Sequence, residues 1–184
     1  MVQRTDLRNR ECPVARGLGE VGEWWSILVL RDAFHGLTRF DEFRESLGVA
    51  PNILSRRLAA LVEAGLLERH RYSERPPRDA YRLTAKGRDF EPVLLALMAW
   101  GNRHLPGANG PAVLATDRDT GEPVEPLLVD ARTGRPLTGA VRLGPGPGAG
   151  PEIHDRLALI ERARARRRAE RAAHSAVHAE EPER

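Results

Sequence analysis

The chain has 184 residues, of which 41% are hydrophobic and 30% are charged, a balance typical of a folded globular protein. The formal net charge of +3 is too small to indicate a nucleic-acid partner by itself, so any such attraction must come from local clusters of arginine. The single cysteine, Cys12, excludes an intramolecular disulfide, and no apolar stretch approaches the roughly twenty residues of a membrane span. We therefore expect a cytoplasmic protein without membrane contact.

Residues 11–105 alternate between helical patterns and short breaks. Apolar residues recur there at spacings of three and four, which predicts amphipathic helices. The predicted helices span residues 12–19, 23–34, 39–47 and 51–64. Trp24, Ile27 and Leu28 form the predicted buried stripe of the second helix, and Thr38 is predicted to cap the third.

A hairpin and a long helix are predicted to follow. Residues 66–72 and 80–83 have the pattern of two strands, separated at 73–79 by a turn whose two prolines are expected to stop both strands. Thr84 is predicted to cap a last helix at 85–104. Two consecutive helices joined by a short glycine-containing turn, followed by a hairpin with a basic tip, predict a winged helix-turn-helix domain at 11–105.

The remainder of the chain differs in composition. Residues 106–143 are expected to form a small hairpin-like segment, in which DRDTGEPV at 117–124 is repeated as DARTGRPL at 130–137. Residues 144–151 form a Gly/Pro linker, and residues 152–184 an Arg/Ala-rich helical tail. The predicted fold is therefore mainly α with a small β-hairpin: a winged helix-turn-helix domain, a β-rich appendage and a polar helix.

The arginine run of the tail has two interpretations. The favoured one is a solvated helix face, because no continuous apolar stripe extends past Ile160. The alternative is a set of non-specific contacts to phosphate.

The fourth helix is the candidate recognition helix. Leu54, Leu58 and Leu61 predict its buried side, and the residue types on its other side can hydrogen-bond base edges or phosphates. Those residues are Asn52, Ser55, Arg56 and, at the flank, Arg57. An ordinary solvated face fits this helix equally well. Arg75 and Arg78 on the hairpin turn favour DNA binding, since a stiff cationic loop beside a recognition helix reaches phosphates or the minor groove. Arg39 is a further candidate for a backbone contact.

No catalytic chemistry is evident in the sequence. Nucleophile triads, phosphate loops and metal-ligand clusters are absent at recognisable spacing, so we expect neither an enzyme nor a bound cofactor or metal. The alternative to a sequence-specific DNA-binding regulator is a winged-helix module that only contacts other proteins. Such a module would not need arginines on both the recognition helix and the wing.

Several ordered motifs within 11–105 closely resemble the HxlR-type transcriptional regulators. They are RFDEF at 39–43, NILSRRL at 52–58, GLLER at 65–69, RPPR at 75–78 and YRLTAKG at 81–87. The resemblance implies a transcriptional regulator that binds double-stranded DNA as a homodimer with two recognition helices in successive major grooves, about 34–36 Å apart, and we expect it to act as a repressor. Its dimer surface would lie on the first and last helices of the domain and include Val14, Leu18, Leu94, Leu97, Met98 and Trp100.

The resemblance also raises questions about particular positions. Cys12 matches a cysteine through which some members sense oxidants, and a position near a helix start lowers a thiol pKa; the alternative is a small buried residue at the dimer contact. An unknown small-molecule effector is equally compatible with the family. Ala50 and Glu23 depart from the Ser/Thr cap and the basic residue common at those positions. Thr120 and Thr133 replace the cysteines of metal-binding knuckles found in some related tails, which argues against a metal.

Overall fold

The computed structural model describes residues 7–179, and of residues 173–179 it describes only the backbone. The elements in chain order are α1 Pro13–Val21, α2 Trp24–Phe34, α3 Phe40–Leu47, α4 Pro51–Glu63, β1 Leu67–Glu74, β2 Pro77–Leu83, α5 Ala85–Arg88, α6 Glu91–His104 and α7 Pro151–Ala179. The mainly helical winged helix-turn-helix prediction is confirmed. Within residues 7–179, no helix has both the length and the apolar character needed to cross a bilayer.

The core lies between α2, α3, α4 and the start of the hairpin. Leu30, Phe43, Leu54, Leu58 and Leu61 are fully buried there, as predicted for the three leucines of α4. Each such side chain contributes on the order of 1.5–3 kcal/mol through burial, so this cluster fixes how α4 lies against α2 and α3.

The predicted stripe of α2 was wrong at its first member. Trp24 is 75% exposed, whereas Ser26, Val29 and Leu30 are buried, as is Asp32. The predicted and the buried residues have the same spacing of three and four along the helix. The buried stripe was not recognised because it begins with Ser26, whose hydroxyl side chain is not counted as apolar.

The start of α3 also differs from the prediction. The cap position is Arg39, and its side chain accepts no capping hydrogen bond. The Glu42 carboxylate instead accepts from the backbone N–H groups of Thr38 and Arg39, both at 2.8 Å. These donations lower the pKa of Glu42, because they favour its charged form.

The hairpin is longer than predicted. Strands β1 and β2 pair antiparallel up to Glu74 opposite Pro77, leaving only Arg75 and Pro76 in the turn. Pro77 is tolerated because the first residue of a strand is one of the places where a missing N–H can be accommodated. The prediction of a seven-residue turn was therefore wrong, and the wing extends further from the domain.

A single helix at 85–104 was also a wrong prediction. Thr84 does cap a helix, since its hydroxyl accepts from the Gly87 N–H at 3.0 Å, but that helix ends at Arg88 and α6 begins at Glu91. Pro92 explains the break: it has no N–H to donate to the Arg88 carbonyl, and its ring would clash with that carbonyl.

The repeated sequence of the appendage adopts a repeated structure. Each copy makes a tight turn stabilised by an aspartate: the Asp117 carboxylate accepts from the Thr120 N–H, and the Asp130 carboxylate accepts from the Arg132 N–H. Backbone pairing in this segment consists of isolated bridges, among them Thr116 with Pro123 and Val129 with Pro136. The appendage thus has hairpin-like turns without regular strands among the described residues.

Helix α7 begins against the segment that precedes α1. The Glu11 carboxylate accepts from the Ile153 N–H at 3.1 Å, while the Glu152 carboxylate accepts from the Glu11 N–H at 3.3 Å. Arg10 adds an ion pair with Glu152 at 2.8 Å. These contacts fix the first turn of α7 on the winged-helix domain.

Candidate nucleic-acid interface

The exposed side of α4 is polar and basic. Asn52, Ser55 and Arg56 are exposed and lie at i, i+3 and i+4, opposite the buried stripe of Leu54 and Leu58. No ion pair engages Arg56 among the residues that the structure describes. These side chains can therefore present hydrogen-bonding groups outward from a rigid helix.

The turn that precedes α4 sets its angle to α3. Gly48 ends α3 with a φ of +59°, a left-handed conformation that glycine adopts without a steric penalty. Val49 is buried beside it and anchors the turn in the core. Ala50 provides no side-chain cap for α4; the Asn52 side-chain oxygen instead accepts from the Ile53 N–H at 2.9 Å. A short turn of this kind, anchored by one buried residue, joins the two helices of a helix-turn-helix.

Arg57 lies in a different environment from the other candidate residues. Its guanidinium is 3.0 Å from a Glu23 carboxylate oxygen, and the two side chains are only 16% and 22% exposed. The pair joins α4 to the residue that caps α2. Glu23 thus serves as the partner of an arginine on the adjacent helix, which explains an acidic residue at this position.

The wing separates its arginines into two groups. Arg69 and Arg71 both face Asp79 across the hairpin, at 3.8 and 2.5 Å, and hydrogen bonding to Asp79 raises the pKa of Arg71. The two predicted contact residues are Arg75, in the turn, and Arg78, near the start of β2; both are exposed and make no ion pair within the described part of the chain. The two arginines near the tip of the wing are thus available for contact, while Arg69 and Arg71 share the carboxylate of Asp79.

Arg39 is positioned by the wing. It forms an isolated β-bridge with Ala80, and its guanidinium carbon lies 4.7 Å from the centre of the Tyr72 ring. Tyr72 is the extra residue at the irregularity in β1 between Arg71 and Ser73. Neither Tyr72 nor Asp79 was among the residues predicted from the sequence. Regular pairing counted back from the turn would place Tyr72 opposite Asp79, and no local signal in the sequence marks the irregularity that places Arg71 there instead.

The residues predicted for the dimer surface lie on α1 and α6. Val14, Leu18, Leu97 and Trp100 are between 49% and 68% exposed, and Leu94 and Met98 are half-buried. No residue of α6 is fully buried. Val93 and Leu105, which are also exposed, extend the same apolar surface beyond the predicted set.

Cys12 caps α1 and is half-buried. Its thiol pKa is lowered, chiefly by the Ala15 backbone N–H at the helix start and further by the nearby Arg156 guanidinium, which donates towards Sγ at 3.7 Å. The lowered pKa raises the thiolate fraction at a given pH. None of the described residues forms a group of three or more His, Cys, Asp or Glu side chains suited to a metal ion.

The helix-turn-helix of α3 and α4 together with the wing defines a winged helix-turn-helix protein. The chain belongs to the HxlR-like helix-turn-helix family, whose model matches residues 20–109. It is 42% identical over 137 residues to the HTH-type transcriptional regulator Rv3095 of Mycobacterium tuberculosis, covering 74% of this chain and 86% of the relative. It is also 39% identical over 95 residues to the HTH-type regulator sll1512 of Synechocystis, covering 51% of this chain and 70% of the relative.

Two solved structures resemble the chain over more than the family domain. PA1607, a candidate transcription factor, has a TM-score of 0.70 at 43% identity, covering 77% of this chain and all of the other. PA1374 of Pseudomonas aeruginosa, also a candidate transcription factor, has a TM-score of 0.58 at 53% identity, covering 79% and 99%. The similarity therefore extends past the helix-turn-helix.

Proposed function

We propose that this protein is a sequence-specific regulator of transcription that binds duplex DNA as a homodimer, and that it is a binding protein and not an enzyme. One observation carries the proposal: the exposed face of Asn52, Ser55 and Arg56 lies on a helix whose opposite face is fully buried. A helix held this rigidly can offer the same groups to base edges at every encounter. The names of the relatives agree with this assignment.

In the proposed complex, α4 lies in the major groove and the wing lies beside it. Arg56 is suited to bidentate contact with guanine, and Asn52 to contact with adenine. Arg75 and Arg78 contact the phosphate backbone or the adjacent minor groove, and Arg39 contacts phosphate at the start of α3. Arg57 is assigned a positioning role, because its guanidinium already pairs with Glu23.

The homodimer is proposed from the apolar surface of α1 and α6. Exposed large side chains that cluster on two helices mark an interaction surface. Pairing these helices with those of a second copy would bury Leu97 and Trp100 and set two α4 helices about one turn of DNA apart, roughly 34–36 Å. A dimer that occupies two successive major grooves obstructs a promoter, so we infer repression as its direction of control.

Cys12 is proposed as the site through which an oxidant or electrophile changes DNA binding. A lowered thiol pKa raises the thiolate fraction, which is the reactive form. Cys12→Ser should bind DNA as the wild type does, but should keep its affinity after treatment with peroxide or a quinone. An equal response of the two proteins would refute the sensing role and leave a non-covalent effector.

The proposal is tested by fluorescence anisotropy with duplex DNA taken from upstream of the protein's own gene, and a scrambled duplex as the control. We expect preferential binding to the upstream DNA, with affinity that falls as salt rises through counterion release. Arg75→Ala with Arg78→Ala should flatten the salt dependence, whereas Glu74→Ala, at the same end of the hairpin, should not weaken binding. Failure to bind either duplex at low salt would favour the alternative, a module for protein–protein contact.

A further inference from the structure

Four arginines of α7 form one continuous face. Arg164, Arg167, Arg168 and Arg171 lie at i, i+3, i+4 and i+7, so they occupy an arc of about 100° on the helix. All four side chains are exposed. We refer to this set as the arginine stripe. It extends over about 10 Å of the helix axis.

The stripe carries more positive charge than the rest of the chain. Residues 161–171 contain six arginines and two glutamates, a net charge of +4, while the formal charge of the whole protein is only +3. The rest of the chain therefore carries a small negative net charge. Like charges this close repel each other, which opposes the helix unless an anion lies against it.

The stripe continues a face that is partly covered nearer the start of the helix. Ile153, Leu157 and Ile160 are half-buried and fall on the same side of α7 as the arginines. The first turn of the helix is fixed to the domain through Glu11 and Glu152. Arg164 lies about 18 Å further along the helix from Glu152. Because the first turn of α7 is held on the domain, the arginine stripe lies at a fixed distance from it.

Few acidic groups compete for the stripe. Glu161 pairs with Arg164 at 2.9 Å, but both side chains are about half exposed, so the pair is weak and can exchange for another anion. Glu170 pairs with Arg166 at 3.7 Å on the opposite side of the helix. In the described part of the chain, no ion pair engages Arg167, Arg168 or Arg171.

We propose that the arginine stripe is a second DNA-binding surface, which contacts phosphates that flank the site read by α4 and the wing. This inference rests on the proposed function. Duplex DNA fits the stripe because its two strands together carry one phosphate charge per about 1.7 Å of axis, so a 10 Å length of duplex holds about six charges, part of them on the side that faces the stripe. The guanidinium fork matches phosphate oxygens without requiring a base sequence.

The test compares two double variants that lose the same charge from opposite sides of α7. Arg167→Gln with Arg171→Gln removes half of the stripe, and Arg162→Gln with Arg166→Gln is the matched control. Glutamine preserves helix propensity in both. Binding to fluorescein-labelled, mixed-sequence duplexes of about 20 and 40 base pairs is measured by anisotropy over roughly 50–200 mM salt.

On the longer duplex, the stripe variant should lower the slope of log K against log salt by about 1.8 per protomer, since each phosphate contact contributes about 0.9. The control variant should keep the wild-type slope, and the difference between the variants should be smaller on the shorter duplex. Equal slopes for wild type and both variants would overturn this inference while leaving the proposed function intact. A wild-type protein that binds neither duplex would overturn both. Loss of binding to phosphatidylserine vesicles in the stripe variant, with unchanged DNA slopes, would reassign the surface to a membrane.

Discussion

Arg57→Ala is expected to destabilise the fold. Arg56 and Arg57 are adjacent in α4, but only Arg57 is turned towards the domain, where it pairs with Glu23 at 3.0 Å. The substitution removes that pair and leaves the Glu23 carboxylate with less of the positive charge that compensates its partial burial. Arg56 is exposed, so Arg56→Ala should leave stability within about 0.5 kcal/mol of wild type.

The magnitude follows from the exposure of the pair. Fully exposed ion pairs contribute about 0.2–1 kcal/mol, and breaking a fully buried one costs about 3–5 kcal/mol. The side chains of Arg57 and Glu23 are 16% and 22% exposed, which places the expected loss between these limits, at about 1–3 kcal/mol.

Urea unfolding at a single protein concentration measures this loss, because the apparent stability of the proposed dimer would depend on concentration. A double-mutant cycle with Glu23→Gln should recover part of the loss, since the unpaired carboxylate is then absent. Equal stability of Arg57→Ala and Arg56→Ala would refute the assignment. So would a loss of DNA discrimination in Arg57→Ala at unchanged stability.

Three further substitutions test other parts of the structure. Gly87→Ala should lower the free energy of unfolding by about 1–3 kcal/mol in urea, because a Cβ there would lie 2.1 Å from the Leu66 carbonyl oxygen; an unchanged midpoint would contradict that packing. Glu42→Gln should remove an acid-sensitive part of stability. The pKa of Glu42 is lowered in the fold, so its carboxylate contributes fully to stability above the ordinary value of 4.5. This contribution is lost as pH falls through the folded pKa, so the free energies of unfolding of wild type and variant should converge in acid. Leu97→Glu should sediment as a monomer, whereas Leu97→Met should remain dimeric; a dimeric Leu97→Glu would exclude α6 from the interface.

The sequence predicted the elements whose signals are local. The leucine stripe of α4, the Thr84 cap and the stop at Gly48 depend on residues within one or two helical turns, and the structure has all three. The break before α6 could also have been predicted, since Pro92 cannot donate to the Arg88 carbonyl. The broad apolar stripe that follows it, from Val93 to Trp100, obscured the proline.

Features that depend on contacts between elements were not predictable. The ion pair of Arg57 with Glu23 joins residues of different helices, and the position of Arg39 beside Tyr72 depends on an irregularity in the wing. A single sequence does not show which side chains of different elements contact each other in the fold. For the same reason, the sequence alone grouped Arg57 with Arg56, and only the packing of α4 against α2 distinguishes them.

The central claim is that α4 reads bases in two successive major grooves. Selection of sites from a random duplex library by the wild type and by Arg56→Ala tests it most directly. We expect the wild type to enrich two inverted half-sites about 10–10.5 base pairs apart, or a multiple of this spacing. Arg56→Ala should lose preference at one position of each half-site, with a cost of about 1–3 kcal/mol. An enriched motif that is identical for both proteins, or no enriched motif for the wild type, would contradict the account.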